Sequence, residues 1–129
     1  MQLNLERPDY QYFLRGADGA SALVNDRRLT RSFVVAPNSL AEDWPVHDAG
    51  SMMPNDLDVL LALEPELLVI GTGAVQKFPP AMVMAACLQR GIGIEVMTNA
   101  AAARTYSVLA GEGRRVVAGF MFPLVETAS

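Results

Sequence analysis

The 129-residue sequence predicts an α/β fold in which an N-terminal β-hairpin or meander precedes a half where helices and parallel strands alternate. Three observations carry that prediction. Apolar and polar side chains change places every second residue near the start. From Pro54 onward the apolar residues recur at helical spacing, and between the helical stretches lie short apolar runs bounded by glycine or proline.

Tyr10, Tyr12 and Leu14 alternate with Gln11, Phe13 and Arg15 ahead of the turn-forming Gly16-Ala17-Asp18-Gly19, which reads as the first arm of a hairpin. Ala22-Leu23-Val24 is the return strand. After Asn25-Asp26-Arg27-Arg28 a third strand runs from Leu29 to Ala36, rich in β-branched and aromatic residues and stopped by Pro37. Asn38 to Pro54 has no sustained period, so it is expected to be a loop with at most a short strand around Trp44 to Val46. Leu57, Leu60, Leu61 and Glu64 then fall at helical spacing, with acids in the first turn, and the helix ends before Pro65.

Leu67-Leu68-Val69-Ile70 is a continuous apolar run halted by Gly71-Thr72-Gly73, the pattern of a strand buried on both faces, and it is placed at the sheet centre. Pro79-Pro80 opens a helix that stops at Gly91. Its residues Val83, Ala86, Cys87 and Arg90 mark one face while Met82, Met84 and Leu88 leave little polar surface, so substantial burial is expected. Gly93 to Met97 is the next strand. Thr98-Asn99 can cap a helix from Ala100 to about Leu109, with Ala102, Tyr106 and Leu109 inward and Gly111 as terminator. Arg115 to Phe122 supplies the last strand, closed by Pro123.

The length points to a single domain over residues 1–129. A hydrophobic share of 51% is too high for a disordered chain, and the apolar runs Val59 to Leu63 and Ala81 to Leu88 are far too short for membrane insertion. The opening residues carry no export signal, and Glu126 to Ser129 read as a frayed end. A net charge of −4 disfavours nucleic acid as a partner. One cysteine, Cys87, and one histidine, His47, permit neither an intrachain disulfide nor a Cys/His zinc cage, which fits a cytoplasmic setting. No Lys or Arg occurs from Ser32 through Gln76, where Glu42, Asp43, Asp48, Asp56, Asp58, Glu64 and Glu66 lie, so one side of the molecule could be acidic.

Ligands of parallel sheets sit beyond the carboxyl ends of the strands. Two such ends are legible. Gly71, Thr72, Gly73 and Gln76 follow one apolar run; Thr98, Arg104 and Thr105 follow the other. Together they could cradle a small anion, the glycines allowing close approach, the hydroxyls donating and Arg104 balancing charge. The glycine spacing is neither a Walker loop nor a dinucleotide fingerprint, and the same residues serve equally as turns and caps. His47-Asp48 lacks a nucleophile elbow, Lys77 is the only lysine and reads as solubilising, and Cys87 and the seven methionines read as core. Glu112, Arg114 and Arg115 form either a turn-stabilising ion pair or a small spot for a partner's acid. The residues identify no catalytic group, metal site or cofactor.

The run Gly71-Thr72-Gly73 with Gln76 and Phe78, then Gly93 to Thr98, Ala102, Thr105-Tyr106, Leu109 and Glu112-Gly113-Arg114-Arg115-Val116, resembles a small uncharacterised domain family. Its best-known eukaryotic members are the mitochondrial NADH dehydrogenase (complex I) assembly factor 3 and an adipogenesis-associated protein. The likeness spans most of the chain and is most specific in the Thr-Tyr-x-x-Leu-x-x-Glu-x-Arg region, where Ser107 stands at a position usually held by Asn. The resemblance implies a three-layer arrangement with a mixed central sheet, helices on its sides and extra β strands. It implies no activity, cofactor or active-site residue. Two functional readings stay open: a noncatalytic protein-interaction or assembly-factor-like module with a protein partner, and a binding protein or enzyme for a small anionic ligand held in the crevice.

Overall fold

The computed structural model describes residues 10–124; the expectations for the first residues and for Glu126 to Ser129 lie outside them. Strands β1 (Leu14–Ala17), β2 (Ala22–Val24) and β3 (Arg27–Leu29) form a small antiparallel sheet. The first arm of the hairpin lies later than the alternation suggests. Asp18 accepts the amides of Ala20 and Ser21, both at 2.8 Å, so the carboxylate fixes the turn after Ala17 rather than at Gly16. Tyr10 to Phe13 leave the sheet, and the amides of Gln11 and Tyr12 bond the Pro37 carbonyl instead. Asn25 makes the second turn with a φ of 53°, and its side chain accepts the Phe13 amide at 2.8 Å.

The stretch Leu29 to Ala36 is two strands, not one, because the chain passes from one sheet to the other at Thr30–Ser32. Ser32 is buried there, accepting the Phe122 amide at 3.0 Å through its hydroxyl and the Trp44 amide at 3.2 Å through its carbonyl. β4 (Phe33–Ala36) and β5 (Ser39–Ala41) then form a hairpin. No strand forms at Trp44 to Val46. Trp44 is buried, donates Nε1 to the Asp56 carbonyl at 3.0 Å, and packs so closely over Gly119 that a Cβ there would lie 2.7 Å from the indole. A 3₁₀ turn at Pro54–Leu57 leads into the short helix α1 (Asp58–Leu61).

The remaining elements are β6 (Leu67–Gly71), α2 (Ala81–Leu88), β7 (Gly93–Met97), α3 (Asn99–Gly111) and β8 (Val116–Phe120). The large sheet has the order β5-β4-β8-β6-β7, antiparallel across β4 and parallel across β6, so it is mixed. The middle strand is β8, not β6. Both are continuous apolar runs, and local pattern carries no information about which of two such runs lies further inside.

Alternation sorts the strand residues onto two faces. Phe33, Val35, Val69, Val116, Ala118 and Phe120 pack beneath α3 and the small sheet. Val34, Leu68, Ile70 and Val117 face the other way, toward Trp44, Leu60, Val83 and Cys87. The result is three layers. Tyr106 and Ser107 tie α3 to the N-terminal segment, donating to the carbonyls of Tyr12 and Leu14 at 3.0 Å each. Burial pushes the Tyr106 phenol far above its ordinary range.

Helix ends follow their caps. Thr98 caps α3 by accepting the Ala101 amide at 3.3 Å. The left-handed residue that closes α3 is Gly113, with φ 76°, rather than Gly111. Gly113 and Arg114 return their amides to Ala110 and Leu109, a Schellman motif. Gly91, φ 71°, closes α2 in the same manner, with the Gly91 and Ile92 amides bonded to Leu88 and Cys87. The expected burial of α2 is only half realised. Val83 and Cys87 are covered, whereas Met82 and Leu88 are 58% and 63% exposed.

Candidate functional site

The carboxyl ends of β6 and β7 do come together, because the two strands are parallel neighbours with Gly71 beside Met97. Their polar groups bond chiefly to one another. Thr72 sends its amide to the Met97 carbonyl at 2.9 Å and its hydroxyl to the Val75 carbonyl at 2.7 Å, while that hydroxyl accepts the Lys77 amide at 3.1 Å. Thr98 is occupied in capping α3, and Thr105 lies 3.3 Å from the Met97 sulfur. Gln76 donates Nε2 to the Val96 carbonyl at 2.9 Å. Since β7 is the last strand of the sheet and its Met97 carbonyl points to β6, the Val96 carbonyl faces the open edge, which Gln76 therefore partly covers. Arg104 is exposed on α3 and has no ion-pair partner among the described residues.

The residue that organises this end is Asn99, which the sequence sets beside Thr98 at the strand end and in the helix cap without giving it a role of its own. It is fully buried. Its Oδ1 accepts the Gly73 amide at 3.0 Å, its Nδ2 donates to the Asp18 and Met121 carbonyls, both at 3.0 Å, and its own amide meets the Gly73 carbonyl at 2.8 Å. One amide side chain thus joins the small sheet, the β6 loop, the end of β8 and the start of α3. Gly71 is required beside it, since a Cβ there would run into Oδ1 and the Phe120 ring. The visible signal was Gly71-Thr72-Gly73 and Thr98-Asn99 at adjacent strand ends.

Glu112, Arg114 and Arg115 lie at the opposite end of the sheet. Glu112 makes no ion pair with either arginine. Glu66 does the joining instead, with Oε1 accepting the Arg115 amide at 2.9 Å and standing 3.5 Å from Arg114 Nε, while Arg115 Nε donates to the Glu64 carbonyl at 3.2 Å. The Arg115 amide and the Arg114 guanidinium hold the Glu66 carboxyl below its ordinary range. Both arginines border a cleft of about 400 Å³ between the β4–β5 turn and the C-terminus of α3.

Four of the seven acids in the acidic stretch stand beside a cation. Arg27 pairs with Glu42 at 2.6 Å, Arg31 with Asp43 at 3.7 Å, Lys77 with Asp48 at 2.6 Å and Arg114 with Glu66. Cations from outside the stretch fold back onto it. The bond from Lys77 also lowers the Asp48 pKa, so the only lysine is held by a carboxylate. His47 bonds the Phe122 carbonyl through Nδ1 at 3.2 Å. Cys87 is buried in the core, and burial pushes its thiol up. Among the described residues no group of three or more His, Cys, Asp and Glu is placed to hold a metal ion, and no helix is long and apolar enough to cross a membrane.

Residues 15–121 match the family described as protein of unknown function (DUF498/DUF598). A solved protein of Xanthomonas campestris is 52% identical, with a TM-score of 0.83 over 100% of this chain and 98% of its own. The 13 kDa major membrane protein of Francisella tularensis subsp. holarctica (strain LVS) is 34% identical over 55% of this chain and 58% of its length. The NADH dehydrogenase [ubiquinone] 1 alpha subcomplex assembly factor 3 of Rattus norvegicus is 29% identical over 81% of this chain and 57% of its own. The chain therefore spans little more than half the length of these two curated relatives.

Proposed function

Since the chain belongs to the DUF498/DUF598 family, we propose that it is a noncatalytic, assembly-factor-like module that works by binding another protein through the outer face of α2. The observation that carries this reading is the composition of that helix. Ala81 to Leu88 contains no charged residue, and only the side bearing Val83 and Cys87 is covered by the sheet. A helix apolar on all sides belongs in an interior, so the outer side of α2 is suited to a partner that completes its burial. Phe78, 63% exposed, and Val75 extend the apolar surface into the loop that enters the helix. Trp44, by contrast, belongs to the core.

The name of the rat relative supports an assembly role. The Thr72 hydroxyl is bonded to the Val75 carbonyl, Thr98 caps α3 and Cys87 is buried, so none of these three is presented as a free nucleophile. A cytoplasmic setting is part of the same proposal.

The test is capture from a native lysate with the tagged chain and with Met82→Glu/Leu88→Glu. Both positions are exposed, so the variant should unfold within about 0.5 kcal/mol per site of the parent. A stoichiometric partner retained by the parent and lost by the variant is the expected result. A partner held equally by both, or none held by either, overturns the assignment to α2.

A further inference from the structure

The cleft of about 400 Å³ at the amino ends of β6 and β8 is of a size that accepts small molecules. Ala36, Pro37 and Leu63 supply apolar parts of its lining. Its polar lining residues are Tyr10, Asn38, Ser39, Arg114 and Arg115, and among the described residues no carboxylate lines it. All of these can donate. Asn38 already uses Oδ1 to accept the Gln11 amide at 3.2 Å, which turns its NH₂ group toward other acceptors. Arg114 and Arg115 commit only their Nε atoms, to Glu66 at 3.5 Å and to the Glu64 carbonyl at 3.2 Å, and keep their terminal NH₂ groups. The side chains of the cleft are thus rich in donors and poor in acceptors.

From this arrangement we infer that the cleft binds a small monoanion, a carboxylate carried on an apolar body, with the anion at the two guanidinium groups and the body against Pro37 and Leu63. Charge selects the monoanion. Glu66 neutralises part of the double positive charge, and Glu64 meets Arg115 through its backbone carbonyl. What remains suits one negative charge better than two. The site is separate from the outer face of α2 and from the loops at the carboxyl ends of the strands. It does not depend on the protein-interaction reading.

Octanoate is the probe, with 1-octanol and octyl phosphate as comparisons, titrated into the full chain while amide resonances and thermal unfolding are followed. Octanoate is expected to shift the amides of Asn38, Ser39 and Gly113 and to raise the melting temperature, with octanol and octyl phosphate weaker. Arg114→Gln/Arg115→Gln should weaken octanoate at least tenfold. If that variant does not fold, Arg114→Gln and Ser39→Ala made singly carry the same expectation of weakened binding. Absence of octanoate binding, equal binding of octanol, tighter binding of octyl phosphate, or shifts confined to α2 would each overturn the inference.

Discussion

Asn99 is bonded through its side chain to the Gly73 amide and the carbonyls of Asp18 and Met121, so its removal leaves buried backbone groups without partners. Orphaned buried groups cost about 1–3 kcal/mol each. Asn99→Ala is therefore expected to destabilise the chain by about 3 kcal/mol or more in urea unfolding, and a loss under 1 kcal/mol would show that these bonds are weak or replaced by water. Gly119→Ala should cost about 1–3 kcal/mol, because a methyl 2.7 Å from the Trp44 indole displaces a buried ring. The sequence displayed Asn99 next to a capping threonine but did not display its partners, which lie 26, 81 and 22 residues away. Long-range polar pairing has no local signature.

At the scale of elements, the two glycines at the end of α3 should behave oppositely. Gly111 is helical and has open space where a Cβ would go, so Gly111→Ala should stabilise by up to about 1 kcal/mol. Gly113 sits at φ 76°, so Gly113→Ala should destabilise by about 1 kcal/mol. Thermal unfolding of the pair decides whether the Schellman closure lies where the hydrogen bonds put it. Helices and parallel strands were legible because each has a period or a cap of its own: Thr98 before α3, Gly91 after α2, the apolar run of β6. The antiparallel third was less legible. Its boundaries depend on Asp18 fixing a turn and on Ser32 meeting Phe122, a contact 90 residues distant. The long run Leu29 to Ala36 has strand character throughout, and only the second sheet breaks it.

At the scale of the whole molecule, the ion pairs among the described residues are separate and exposed, and acid should act on them through their carboxylates. The carboxyls of Asp18, Glu42, Asp48 and Glu66 are held below their ordinary values, by backbone amides at Asp18 and, first of all, by Arg27, Lys77 and the Arg115 amide at the other three. A depressed folded-state pKa contributes stability that is complete above the unfolded value and is lost as pH falls through the folded one. The urea midpoint should therefore vary little with these groups between pH 7 and about pH 5 and decline below about pH 4. A midpoint that rises on acidification would contradict the role given to these carboxylates.

The sheet covers one side of α2, and its uncharged outer side departs from the polar face of an ordinary solvated helix. The most direct measurement is photo-crosslinking in native lysate from a benzophenone amino acid placed at Leu88, with Val108 on α3, also exposed, as the control. A discrete protein adduct from position 88 that is absent from position 108 is the predicted result. No adduct from position 88, or the same adducts from both positions, would contradict a docking surface on α2.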